Sequence, residues 1–382
     1  MSFSSLGVVS TLLPLLKEQN YTTPYPIQEK AIPAIIKGND LLGIAQTGSG
    51  KTASYVLPIL SRINVHKIVK NRHVLALVLV PTRELAIQVG EVFDLFRVGL
   101  ADRVKSLAVH GGVSINPQMK ALQGTHILVA TPGRLIDLVE SNAVYLSDVE
   151  TLVLDEADKM LNLGFQEEMN KILALLPPRR QNLLFSATLS SDVDNMNRVL
   201  LKNPVVVEVE AKEQPTEAEA IRQTAYLVED AQKGPFLRYL IKSRDLEQIL
   251  VFVSSIRKAD NMVGKLRKNG IRAAAIHSKK SQGARTSALA TFKSGKTKVL
   301  IATDLLSRGI DIEQLPYVIN YELPRSPKDY VHRIGRTGRA DASGEAITIL
   351  TKDDLKHFKV IQKKMGKWIQ LTYTDDIDLK GY

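Results

Sequence analysis

The chain has 382 residues, 44% hydrophobic and 24% charged, which excludes a disordered or fibrous protein and predicts two to three domains. It contains no cysteine, so disulfides and thiolate chemistry are excluded, and its longest apolar run, Val74 to Val80, is too short to cross a membrane. The net charge is +11, and the whole excess falls in residues 211–382, with 31 Lys and Arg against 20 Asp and Glu; residues 1–210 hold 20 of each. Short β-rich apolar runs alternate with helical patterns, as in repeated βα units. In the first half the predicted strands are Leu41 to Ile44, Val74 to Val80, Ile127 to Ala130, Leu152 to Leu154 and Leu183 to Phe185. In the second half they are Ile249 to Val253, Ala273 to Ile276, Val299 to Ala302, Tyr317 to Ile319 and Ala346 to Leu350. Continuous apolar runs of this kind belong to strands buried on both faces, hence to mainly parallel sheets covered by helices.

Between the two sets, Glu208 to Ala220 is polar and contains Pro215, so the expected organisation is an α/β domain over 1–208, a linker over 209–219 and a second α/β domain over 220–382. At the carboxyl end Leu355, Phe358, Ile361, Met365 and Trp368 recur at helical spacing. They predict a terminal helix with Trp368 in its core-facing stripe rather than a stacking platform. Residues 251–300 hold 12 basic residues and one acid, Asp260, which points to a polyanionic partner, although a solvated face explains any single lysine there. No secretory pattern opens the sequence, and a cytoplasmic location is expected.

Ala45 to Thr52 reads AQTGSGKT between a predicted strand and a predicted helix. Gly48 and Gly50 let successive N–H groups turn toward a polyphosphate, Lys51 can reach its outer phosphates, and the Thr52 hydroxyl can ligate Mg²⁺. A plain glycine-rich turn is the competing reading. Against it stand Asp155, Glu156 and Asp158, directly after the run Thr151 to Leu154. Carboxylates at that end of a parallel strand lie where ligands bind in open α/β sheets. Asp155 would hold Mg²⁺ through water and Glu156 would activate the attacking water, whereas helix capping accounts poorly for three acids in four residues.

The residues DEAD at 155–158 resemble the signature of the DEAD-box ATP-dependent RNA helicases, and other motifs of that family follow in register over essentially the whole chain. They are YTTPYPIQ at Tyr21 to Gln28 with Phe3 upstream, PTRELA at Pro81 to Ala86, Gly111 with Gly112, TPGR at Thr131 to Arg134, and SAT at Ser186 to Thr188. The second half adds VFVSS at Val251 to Ser255, QGAR at Gln282 to Arg285, TDLLSRGID at Thr303 to Asp311, and HRIGRTGR at His332 to Arg339. The phrasing is most similar to the bacterial RhlE-type subgroup.

The resemblance implies two tandem RecA-like domains and RNA-stimulated ATP hydrolysis coupled to local, sequence-independent RNA unwinding and remodelling of RNA–protein complexes. An ATP-gated RNA clamp serving partner proteins is the alternative. By this resemblance Lys51, Asp155, Glu156, Arg336 and Arg339 are catalytic, the last two as arginine fingers. Phe3, Tyr21, Gln28, Thr47, Gly48, Ser49, Gly50, Lys51, Thr52, Gly309 and Asp311 would bind ATP, and Thr52 and Asp155 the Mg²⁺. Phe3 reads equally well as a core aromatic of an amino-terminal helix packed through Leu6, Val9 and Leu13. An amide at Gln28 pairs with the adenine edge, predicting ATP over GTP. Asp158, Ser186, Thr188 and His332 are implied to couple nucleotide to RNA. RNA contacts are implied for Pro81, Thr82, Arg83, Gly111, Gly112, Thr131, Pro132, Arg134, Ser255, Arg257, Gln282, Arg285 and Thr303. A monomeric core and protein partners of RNA processing, ribosome assembly or decay are expected as well. The sequence departs from the family at Tyr25, at Leu305 and Leu306, and at Ser278 to Lys280.

Overall fold

The computed structural model describes residues 2–45, 48–63, 71–100, 104–209, 221–303, 315–337 and 344–382. Thr47, Leu305, Leu306, Gly309, Asp311, Arg339 and nearly all of the expected linker lie outside the described residues. The chain forms two compact units, residues 1–212 and 213–382.

In the first unit the helices are α1 (Leu13–Glu18), α2 (Pro26–Ile36), α3 (Lys51–Arg62), α4 (Arg83–Arg97), α5 (Ile115–Ala121), α6 (Pro132–Glu140), α7 (Ala157–Asn162), α8 (Gln166–Leu175) and α9 (Ser191–Leu200). They surround strands β1 (Leu41–Ile44), β2 (Ala76–Leu79), β3 (Ser106–Val109), β4 (Ile127–Ala130), β5 (Thr151–Leu154), β6 (Gln181–Ser186) and β7 (Val205–Glu208). All pair in parallel, in the order β3-β4-β2-β5-β6-β1-β7. The five interior strands β4, β2, β5, β6 and β1 carry apolar side chains to both faces, where two separate clusters bury them under the helices. The amino terminus departs from the expected helix: Leu6 lies in a turn, Ser10 to Leu12 form a 3₁₀ turn, and the α-helix starts only at Leu13, with Pro14 in its first turn.

In the second unit α10 (Lys233–Ser243), α11 (Ile256–Lys268), α12 (Gln282–Lys293), α13 (Pro327–Ile334) and α14 (Leu355–Met365) accompany β8 (Arg222–Leu227), β9 (Ile249–Val253), β10 (Ala273–Ile276), β11 (Val299–Thr303), β12 (Tyr317–Asn320), β13 (Glu345–Leu350) and β14 (Leu371–Tyr373). Their order is β10-β11-β9-β12-β13-β8-β14, which repeats the first sheet strand for strand with every number raised by seven. The units are therefore two copies of one topology, and both sheets are the parallel, helix-covered sheets of RecA-like domains.

One expectation fails at the carboxyl end. Phe358 and Ile361 are buried, but Gly366 at φ +71° ends α14, and Trp368 lies beyond it, 69% exposed.

Candidate active site

In a parallel sheet every strand points the same way, so the segments that follow the strands gather along one edge. In the first unit that edge receives Ala45 to Thr52 after β1, Pro81 to Ala86 after β2, and Gly111 with Gly112 after β3. It also receives Thr131 to Arg134 after β4, Asp155 to Asp158 after β5, and Ser186 to Thr188 at the end of β6. Strand order then sorts them. The three segments implied for RNA follow β3, β4 and β2, which are adjacent; the nucleotide and coupling segments follow β5, β6 and β1, also adjacent.

The phosphate loop is shaped by Gly48 at φ +81° and by Gly50 at φ +87°, the left-handed cap from which α3 starts. Lys51, the first residue of α3, is buried and donates through Nζ to the Ala45 carbonyl at 2.7 Å, closing the loop on itself. Gln28 is fully buried. Its Oε1 accepts from Tyr25 N–H at 2.9 Å and its Nε2 donates to the Gly50 carbonyl at 3.1 Å, so the amide expected to read adenine also braces the loop. A Cβ on Gly50 would meet Gln28 Nε2 at 2.5 Å. Tyr25 caps α2 at the rim and is exposed, while Tyr21 packs edge-on against both Phe3 and Phe96. Phe3 itself is buried in the core.

Behind the loop stands Tyr55, one turn along α3 from Lys51, which sequence reasoning did not single out. Its hydroxyl donates to Asp155 Oδ2 at 2.8 Å, while Asp155 Oδ1 accepts from the Glu156 N–H at 2.9 Å. Burial pushes the Asp155 carboxyl above the ordinary aspartate range, opposed by Lys51 and by the Tyr55 bond. Burial likewise pulls the Lys51 ammonium down, opposed by Asp155 and Glu156. The Tyr55 hydroxyl is pushed well above the usual phenol range by burial, so it remains a donor at neutral pH.

Glu156 adopts the left-handed conformation, φ +54°, at the turn from β5 into α7. There its Oε1 accepts from Lys159 Nζ at 2.5 Å, both side chains being buried, and Oε2 has no protein partner. Asp158 Oδ2 accepts from the Thr188 hydroxyl at 3.3 Å, and Ser186 Oγ donates to the Thr188 carbonyl at 2.8 Å; Asp158 Oδ1 is buried without a partner. The expected coupling residues of the first unit therefore form one hydrogen-bonded chain from α7 to the end of β6. The two buried carboxylate oxygens are short of donors, which the water shell of a cation, or a water molecule itself, would supply. No group of three His, Cys, Asp or Glu that could hold a metal occurs among the described residues.

Along the β3-β4-β2 side, Thr82 caps α4 by accepting from Leu85 N–H at 3.2 Å, next to buried Pro81. The Arg83 guanidinium lies against Gly112, φ +80°, where a Cβ would fall 1.8 Å from one of its nitrogens. Thr131 and Pro132 begin α6. Arg134 is buried and works as a strut: it donates to the Val113 carbonyl at 2.9 Å and to Asp137 at 3.3 Å.

In the second unit Ser255 caps α11 and Arg257 is exposed in its first turn. Thr303 ends β11, and Gln282 and Arg285 are buried in the first turn of α12. These follow β9, β11 and β10, the counterparts of β2, β4 and β3. The basic stretch 251–300 is not one face. Arg272 and Lys298 precede β10 and β11 at the opposite edge, and Lys298 is paired with Asp245 and Glu247. Asp260 pairs with His277 at 3.1 Å and Lys280 at 2.9 Å, which makes His277 structural. His332 lies on α13, and Arg336 follows that helix, buried. Arg333, also missed by the sequence reading, is fully buried. It donates to Asn320 Oδ1 at 3.1 Å and the Glu322 carbonyl at 2.6 Å, with its guanidinium over the Phe252 ring.

Two RecA-like units, the first with a phosphate loop facing acidic residues at a strand end, define a nucleoside-triphosphatase of the helicase class. The DEAD/DEAH box helicase pattern matches residues 25–196, and the helicase conserved C-terminal domain matches residues 232–341. DEAD-box ATP-dependent RNA helicase 20 of Arabidopsis thaliana is 42% identical over 353 residues, 92% of this chain and 70% of that protein. CshA of Streptococcus pneumoniae is 41% identical over 368 residues, 96% of this chain and 69% of its own length. Among solved structures, S. cerevisiae Dbp5 bound to RNA and ADP BeF3 superimposes with a TM-score of 0.81 at 30% identity, covering 98% of this chain and 96% of that one. The chain belongs to the DEAD-box ATP-dependent RNA helicase family.

Proposed function

We propose that the protein hydrolyses ATP in response to RNA and uses the cycle to separate short RNA duplexes locally, without sequence preference. The observation that carries this reading is the sorting of motif segments along one sheet edge, with phosphate-binding and acidic groups on one side and the RNA-designated loops on the other. N–H groups of the loop around Gly48 to Thr52 and the Lys51 ammonium would take the triphosphate. Mg²⁺ would be held by the Thr52 hydroxyl and, through water, by Asp155, and when bound it supplies charge neutralisation for the phosphates. Glu156 would orient and deprotonate the water, releasing Lys159 to do so. Arg336 and Arg339 would place guanidinium charge on the transferred phosphoryl group, Asp311 would bind the ribose, and Gln28 would favour adenine over guanine. Glycines, hydroxyls and arginines at strand ends suit sugar and phosphate contacts, and 2′-hydroxyl contacts would favour RNA over DNA.

RhlE-type kinship, a monomeric core, a cytoplasmic location and protein partners in RNA processing, ribosome assembly or decay complete the proposal; motif phrasing and the lack of cysteine support the first and third. The deciding experiment measures ATPase rate with and without single-stranded RNA, beside Glu156→Gln, together with separation of a short duplex. RNA stimulation that the variant lacks is expected. An RNA-independent rate overturns the reading.

A further inference from the structure

The exposed face of α14 matches nothing in the helicase site. Phe358 and Ile361 turn inward; on the opposite side of the helix Lys356, Lys359, Val360, Lys363 and Lys364 are all exposed. Residues 355–374 contain five lysines and no Asp or Glu. Several lysines elsewhere in this unit are matched by carboxylates, among them Lys280 by Asp260, Lys298 by Asp245 and Glu247, Lys352 by Glu229 and Lys258 by Glu322. Among the described residues, Lys356, Lys359, Lys363 and Lys364 form no ion pair or hydrogen bond. Past Gly366 the chain folds back, Ile369 N–H donating to Gln362 Oε1 at 2.7 Å, and Trp368 is left in solvent. Beyond it runs β14, the edge strand, with Tyr373 65% exposed. Burying an indole is favourable, and here the fold leaves it uncovered beside lysines that have no carboxylate partner among the described residues.

We propose that this face is an accessory site for single-stranded RNA, with Trp368 stacking on a base and the lysines of α14 taking backbone phosphates. Aromatic planes beside unpaired cations are the chemistry by which single strands are held without sequence readout. The proposal rests on the RNA-binding reading above but names a second contact. Strands β8 and β14 lie at the other end of the sheet from β10, β11 and β9, whose following loops are the expected RNA contacts of this unit. At about 4.8 Å per strand step the separation is roughly 15–30 Å. Only an RNA longer than the one filling the main groove can reach both.

Trp368 is the only tryptophan in the chain, so intrinsic fluorescence reports on this site. An RNA of about 30 nucleotides is expected to quench it saturably, and added salt to reverse the quench. Trp368→Ala, and separately the double change Lys363→Glu with Lys364→Glu, should weaken that RNA about fivefold or more. Binding of an RNA of about 8 nucleotides and the maximal RNA-stimulated ATPase rate should not change. Unaltered fluorescence at saturating RNA, with normal ATPase stimulation, overturns the accessory site and leaves the helicase reading intact; so does equal weakening of short and long RNA. An acidic protein that quenches Trp368 where RNA does not would overturn it in favour of a protein interface. Absence of any RNA stimulation would instead be the failure of the helicase reading itself.

Discussion

Tyr55 and Lys159 hold Asp155 and Glu156, the two acidic side chains proposed to bind the metal and activate the water, and each acts through a single bond. Tyr55→Phe removes the donor to Asp155 Oδ2. Leaving that buried oxygen unsatisfied costs about 1–3 kcal/mol, measurable as a lower denaturation midpoint. That bond also favours the ionised carboxylate, so without it the Asp155 pKa rises further. The acid limb of the ATPase profile is therefore expected to move to higher pH in Tyr55→Phe, and an unmoved limb would remove Asp155 from the metal-binding role. Lys159→Met strands Glu156 as a buried, uncompensated charge, with an expected loss of about 3–5 kcal/mol. Adding Glu156→Gln should recover most of it, because the charge that needed a partner is then gone, and a double-mutant cycle measures the difference. Neither partner was legible in the sequence. The motif residues stand in contiguous blocks whose spacing can be read, whereas Tyr55 acts on a residue a hundred positions away and Arg333 on Asn320 and Glu322 through the packing of α13.

At the level of elements, the phosphate loop and α2 form one part. Gly50→Ala places a methyl group where Gln28 Nε2 stands and asks an L-residue to hold φ +87°. ATP affinity is expected to fall at least tenfold by equilibrium binding, accompanied by a lower melting temperature for the first unit. Most of the central strands were readable because both faces are covered and their apolar runs are unbroken. The strands missed were β3, β7, β8 and β14. Three of these lie at sheet edges, and all four expose part of their length, so their sequences mix Ser, Glu, Arg, Gln and Thr into the pattern. Trp368 was misplaced for a related reason: helical spacing continued through it, but the left-handed turn at Gly366 had already ended the helix.

For the whole chain, charge is the property with the widest consequences. A net +11 whose excess lies in residues 211–382 predicts RNA affinity that falls linearly with salt on a logarithmic plot, with much of the slope contributed by the second unit. Acid stability has a local origin there too. Burial would raise the Glu345 carboxyl, but bonds from Arg244 and Thr224 prevail and hold it below the usual glutamate range. A lowered folded pKa contributes stability that is present above the unfolded value and disappears as pH falls through the folded one. Glu345→Gln should therefore lower Tm at neutral pH by roughly 2–8 °C and by progressively less toward pH 3, which a calorimetric pH series would reveal.

The pairing order of the first sheet also has a temporal side. β1, which launches the phosphate loop, is hydrogen-bonded on one flank to β6 at residues 183–186 and on the other to β7 at residues 205–208. On a translating ribosome the loop is thus made well before β7, and that flank of β1 stays open until the seventh strand has left the exit tunnel. A fragment truncated before β7 would carry every nucleotide-facing motif of the first unit while leaving an unzipped edge beside its catalytic loop.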